Sequence, residues 1–213
     1  MTACGLKSRL PTSMSVAFKL GFLASRNGSG FRAIVEACET GLLAAEPRLL
    51  VANTAKADAL NYAKGRGLAT QVIPTAGDPE VADQRLCTAL SDAEVDLVIL
   101  SGYLRRLGPL TLARFRNRVL NIHPGPLPDF GGEGMYGLKV HEAVISSGVS
   151  ETCVTIHLVD EIYDHGTVLD RVAVPIDHGE TAKSLEAKVT AMEPKAYVAL
   201  LSRILSGEVQ LPD

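Results

Sequence analysis

The sequence predicts an α/β protein: an open, mostly parallel twisted sheet with helices on both faces, antiparallel late strands and a long C-terminal helix. Three observations predict it. From Phe18 to about Pro124, short apolar runs alternate strictly with helical patterns, the order that gives a parallel sheet with crossover helices. Val95-Asp96-Leu97-Val98-Ile99-Leu100 is nearly all apolar, as a strand covered on both faces should be. Beyond Pro124 the alternation stops, and two strands around a turn precede one long helical pattern.

Each element has its own signal. Phe18 to Ala24 reads as the first strand, and after a polar turn Phe31 to Ala37 begins a helix. A strand at Arg48 to Ala52 and a helix from about Ala55 to Lys64 follow. Next come a short strand at Thr70 to Ile73 and a helix from about Pro79 to Leu90. The apolar run at Val95 is the fourth strand, Leu110 to Phe115 a short helix, and Arg118-Val119-Leu120 leads into the fifth strand. Pro124 to Gly137 is a loop dense in Gly and Pro, long enough to suspect a function. A helix from about Lys139 to Ser146, strands at Val154 to Val159 and Thr167 to Val172, and a helix from about Thr181 to Leu205 complete the series.

Composition narrows the function classes. Hydrophobic residues make up 46% and charged residues 21% of the 213 positions, the balance of a globular domain long enough to bury a core. A net charge of −3 gives no basic field for nucleic acid or an anionic membrane. No apolar run approaches the ~20 residues that span a bilayer. Small-molecule partners are expected, for a monomer or homodimer. Cys4, Cys38, Cys87 and Cys153 are scattered without a C-x-x-C pair, which fits a reducing, cytoplasmic compartment. Residues 1–15 lack a secretory hydrophobic region and read as a disordered extension ahead of one domain over 16–213.

Asn121-Ile122-His123-Pro124 is the most informative stretch. Residues i and i+2 of a strand face the same way, so Asn121 and His123 point at one spot where a parallel strand gives out. Open α/β sheets keep their ligands there. An amide donor beside an imidazole suits a developing oxyanion and a moving proton; the plainer reading is a satisfied strand-end histidine. Ser25-Arg26-Asn27-Gly28-Ser29-Gly30 links the first strand to the first helix and suits a phosphate. Gly28-x-Gly30-x-x-Ala33 also matches a dinucleotide fingerprint, but Asn53-Thr54 stands where an NAD site needs an acid. Asp160 to Gly166 is an acidic turn whose carboxylate could orient His123 and raise its pKa, or simply be a solvated hairpin turn. His157 reads as an interior histidine, His165 as a base or loop side chain, and His178 as solvated turn. A metal held by His123, His157 and Asp164 has no supporting ligand spacing, and no metal is expected.

These pieces together resemble the folate-dependent formyltransferases. The resemblance covers nearly all of Phe18 to Leu211 and rests on Ala24 to Ala33, Leu100 to Arg105, Leu120 to Pro128 and Asp160 to Gly166, in that order. It implies a Rossmann-like fold and a reaction in which a ribonucleotide amine, that of glycinamide ribonucleotide in the branch most alike, takes the formyl group of 10-formyltetrahydrofolate. It further implies Asn121, His123 and Asp164 as the catalytic trio, with Asp164 keeping His123 charged. Asn27, Gly28, Ser29 and Gly30 would hold the substrate phosphate, and Glu193 the other end of the ribonucleotide. Leu104, Arg105, Arg106 and Leu107, with Val159, Asp160, Glu161, Ile162 and Tyr163, would line the folate pocket. Gly30 stands where many members have Asn, and Arg106 replaces an apolar residue. An amino sugar nucleotide acceptor is the alternative within the family, and an NAD-dependent oxidoreductase the alternative outside it.

Overall fold

The computed structural model describes residues 18–213; the expected N-terminal extension and Cys4 lie outside them. Seven strands form one sheet in the order β3-β2-β1-β4-β5-β6-β7. They are β1 (Phe18–Ala24), β2 (Ala45–Ala52), β3 (Ala69–Val72), β4 (Leu97–Leu100), β5 (Val119–His123), β6 (Glu151–Leu158) and β7 (Val168–Pro175). The first five pair in parallel, and β6 and β7 are antiparallel. The helices are α1 (Ser29–Glu39), α2 (Asp58–Gly65), α3 (Pro79–Asp92), α4 (Pro109–Arg114), α5 (Leu138–Ser147) and α6 (Ala182–Leu205).

Strand alternation divides the core in two. Leu20, Phe22 and Ala24 face a cluster with α1, α2, α5 and α6, whereas Leu23, Val98 and Val119 face α3 and α4. Both faces of the parallel strands are therefore covered, which is why those strands are apolar without alternation. Chain order reverses beside β1, where β2 lies on one side and β4 on the other. Ligands of open α/β sheets lie at the carboxyl ends of strands around such a switch point.

Several boundaries differ from expectation for local reasons. β2 begins at Ala45, three residues early, because Glu46 and Pro47 pair with β1 through a bulge at Leu20/Gly21. α2 begins at Asp58 rather than Ala55, since Thr54 to Ala57 forms a turn closed by Ala57 N–H to the Thr54 carbonyl. β4 begins at Leu97 rather than Val95, whose N–H donates back to Leu90. β7 runs on to Pro175, as its partner β6 starts at Glu151. α6 opens on a capping box between Thr181 and Ser184.

Candidate active site

Register between β5 and β6 builds the centre of the site. Asn121 pairs with His157 and His123 with Thr155, so the two polar residues of β5 share a face with a histidine of β6. His157 is 2% exposed, and its Nδ1–H donates to the Leu158 carbonyl at 2.8 Å. Its Nε2 is then an acceptor, taking an Nδ2–H of Asn121 at 3.1 Å. This fixes which end of the amide faces His157 and leaves the second N–H of Asn121 free to donate.

Asp164 enters from the turn between β6 and β7, on left-handed backbone at φ 56°, a conformation Asp tolerates better than most residues. Its carboxylate lies 3.4 Å from His123 Nδ1 and 3.5 Å from His157 Nε2, and accepts the Gly132 N–H at 3.1 Å. His123 is 3% exposed, and its Nε2–H donates to the Phe130 carbonyl at 2.8 Å. With Nε2 carrying that proton, Nδ1 and the carboxylate face each other across a gap suited to one more.

Burial pushes the His123 imidazole below its usual pKa, while Asp164 and the Phe130 carbonyl pull it back up without overcoming burial. The pull of Asp164 toward the charged ring is present, and burial opposes it. Burial also works to raise the Asp164 pKa, but His157, His123 and the Gly132 N–H outweigh it and hold the carboxyl below its ordinary value. The carboxylate is thus favoured in its ionised form beside the imidazole.

The second region lies at the start of α1. Gly28 takes φ 65° at the N-cap with no side-chain cap. The Ser29 and Gly30 N–H groups, with Asn27 just ahead of them, open a donor cluster of the kind that holds phosphate. Arg32 braces the loop by donating to the Asn27 carbonyl at 3.0 Å. Gly30 packs under Tyr197 of α6, where a Cβ would stand 2.8 Å from the ring. One turn before Tyr197 on that helix, Glu193 is raised by burial to about 7. The structure thus puts Glu193 on the helix that covers the loop.

The third region joins the remaining expected residues. Leu104 follows β4 with its N–H on Ser25 Oγ at 2.8 Å. Arg106 donates to the Glu161 carbonyl and lies 5.6 Å from the Tyr163 ring, so the 104–107 and 159–163 segments form two tied walls. Leu107 and Val159 reach the α3/α4 core, while Leu104, Arg105, Ile162 and Tyr163 stay exposed. Asp160 accepts the Ile162 N–H and pairs at 2.8 Å with His165, which is exposed. A cavity of about 510 Å³ opens behind Arg105 and Arg106 toward α3, reaching neither Asn121 nor His123. His178 is exposed, and Asn53 closes β2 where a dinucleotide site carries an acid. No group of three His, Cys, Asp or Glu side chains among the described residues could hold a metal, and no helix among them is long and apolar enough to cross a membrane. Sequence reasoning left His157 as an interior histidine; its period-2 placement opposite Asn121 appears only once the register is known.

Comparison with known proteins identifies the family. The family model described as formyl transferase matches residues 18–201. A chloroplastic phosphoribosylglycinamide formyltransferase of Vigna unguiculata is 38% identical over 90% of this chain, which spans 62% of that relative's length. Phosphoribosylglycinamide formyltransferase of Escherichia coli (strain K12) is 31% identical, over 89% of this chain and 88% of that one. The crystal structure of glycinamide ribonucleotide transformylase 1 from Symbiobacterium toebii superposes with a TM-score of 0.83 at 28% identity, over 92% of this chain and 95% of that one. The match along nearly the whole described chain makes this protein a member of the formyl transferase family.

Proposed function

We propose that the protein transfers the formyl group of 10-formyltetrahydrofolate to the amine of glycinamide ribonucleotide, a step of purine biosynthesis, acting on small molecules in the cytoplasm as a monomer or homodimer. The observation that carries the chemistry is the convergence of Asn121, His123 and Asp164 at the carboxyl end of β5. The amine nitrogen attacks the formyl carbon, giving a tetrahedral centre with negative charge on oxygen. The free N–H of Asn121 donates to that oxygen. His123 adds its Nε2–H by exchanging the Phe130 carbonyl for the stronger, charged acceptor.

The gap between His123 Nδ1 and Asp164 accommodates the proton shed by the attacking amine. Its charge there stabilises the oxyanion, and its departure toward the folate N10 accompanies cleavage of the carbon–nitrogen bond. The loop at Asn27 to Gly30 receives the phosphate, Glu193 the far end of the ribonucleotide, and the walls at Leu104 to Leu107 and Val159 to Tyr163 the folate.

Absorbance of released tetrahydrofolate in a mixture of both substrates tests this, with His123→Ala as control. Turnover by the wild type that disappears in the variant is the expected result. A folded wild type that binds the folate yet leaves glycinamide ribonucleotide unformylated would shift the acceptor to an amino sugar nucleotide.

A further inference from the structure

Ser101, the residue after β4, is 3% exposed; it lies in the Leu100 to Arg105 stretch but has no role assigned above. Its position is fixed on two sides. The Ser101 N–H donates to the Leu23 carbonyl at 2.9 Å, and the Tyr197 hydroxyl donates to the preceding Leu100 carbonyl at 2.6 Å. The Ser101 Oγ accepts the Phe31 N–H at 2.9 Å, one of the four donors that the start of a helix leaves unpaired. A hydroxyl carries one proton of its own, and no acceptor for it is present among the described residues.

The same oxygen lies 3.2 Å from where a Cβ of Gly30 would be, so the hydroxyl occupies the space a side chain at position 30 would need. Gly30 contributes only its N–H. Ser101 Oγ accepts from the third residue of α1 and stands beside the second, with a donor to spare. A hydroxyl that accepts an N–H bond is polarised and donates more strongly.

We propose that Ser101 is a direct ligand of the acceptor's phosphate, donating its hydroxyl proton to a phosphate oxygen and passing on the pull of the Phe31 N–H. This rests on the reading of Asn27 to Gly30 as the phosphate loop, and it makes Ser101 specific for a phosphorylated acceptor. The fixed backbone means that the hydroxyl needs only to rotate about its own C–O bond on binding.

Ser101→Ala removes the donor, and with it the acceptor of the Phe31 N–H, with a minimal change of volume. The Kd for ribose 5-phosphate, measured by calorimetry, should rise about 10-fold, the scale of one hydrogen bond to a charged group. The KM for glycinamide ribonucleotide should rise in parallel, with kcat and the KM for 10-formyltetrahydrofolate unchanged. The kcat/KM for the corresponding riboside, which has no phosphate, should be equal in the two proteins; a general loss of folded structure would lower both acceptors alike. Equal ribose 5-phosphate binding by variant and wild type overturns the proposal, and formyl transfer by the wild type would still stand. Weakened phosphate binding in a protein that forms no product leaves Ser101 as a phosphate ligand and overturns the reaction instead. Absence of ribose 5-phosphate binding by the wild type overturns the phosphate loop and Ser101 together.

Discussion

Asn121 owes its catalytic potential to a residue 36 positions away. Without His157 the amide would be free to turn, and either end could face the substrate. Replacing Asn121 by Ala should lower kcat by about 10²–10³, the usual cost of one oxyanion donor, with the melting temperature nearly unchanged because the side chain is only half-buried. His157→Phe keeps volume but removes the acceptor, so kcat should fall by roughly 10-fold, consistent with losing one modest orienting hydrogen bond, and the KM for each substrate should hold. Steady-state kinetics on both variants decide the matter. Glu193 gives a different signature. Its folded-state pKa of about 7 lies above the ordinary 4.5, so the folded protein retains a proton that the unfolded chain releases. The resulting destabilisation is absent below pH 4.5, grows as pH rises toward 7 and stays constant above. Glu193→Gln should therefore match the wild type in melting temperature near pH 4.5 and exceed it at pH 8, while weakening ribonucleotide binding. Asn121 and His123 were legible in the sequence because strand alternation is local. His157 was not, because which residue of β6 faces Asn121 depends on a register set by the whole sheet.

Elements of the parallel half were legible for a related reason. Strands covered on both faces must be continuous apolar runs, and helices between them must show one apolar stripe, so β1, α3 and β4 announce themselves. β2 was read short since Ala45-Glu46-Pro47 has no strand signal of its own and pairs only because β1 supplies the template. The turn carrying Asp164 looked like an ordinary solvated hairpin connection, and its inward direction comes from tertiary contact. Gly166 is the residue that permits it: a Cβ there would collide with the Leu158 carbonyl oxygen. Because the obstacle is backbone rather than a flexible side chain, Gly166→Ala must displace the turn. We expect a stability loss of about 2 kcal/mol or more, in the range of steric misfits in packed sites, together with a kcat loss as Asp164 leaves His123. Urea denaturation and turnover measure the two separately. Asp164→Asn, with the backbone undisturbed, should reproduce the kcat loss but only a small part of the instability.

At the scale of the whole molecule, the site leaves its mark on stability. Three histidines are buried among the described residues, His123 at 3%, His141 at 1% and His157 at 2% exposed, and burial lowers the pKa of His123 and His141 below 6.5. His141 lies on α5, where Glu186 of α6 pulls its pKa up and His123 of β5 pushes it down; its Nδ1 has no hydrogen-bond partner. In the unfolded chain each ring binds a proton as pH drops through 6.5, whereas in the folded protein each stays neutral to a lower pH. At these two sites the unfolded state then binds more protons, so their contribution to stability must decrease as pH falls below 6.5, with a slope of up to about 1.4 kcal/mol per pH unit for each ring, against the opposite slope that Glu193 supplies between pH 7 and 4.5. Asp164, held below its ordinary pKa of 3.8, adds a further loss only at pH values below that. In a Glu193→Gln background, where the opposing gain from Glu193 protonation is absent, urea midpoints measured from pH 8 to pH 5 should therefore be flat at first and then decline. His141→Leu removes one of the two rings without touching the proposed trio of Asn121, His123 and Asp164. It should reduce that decline by about half and leave kcat at pH 8 intact. A decline of full size in His141→Leu would mean that His141 is not a source of the acid sensitivity, and that burial at the catalytic end of β5 carries it alone.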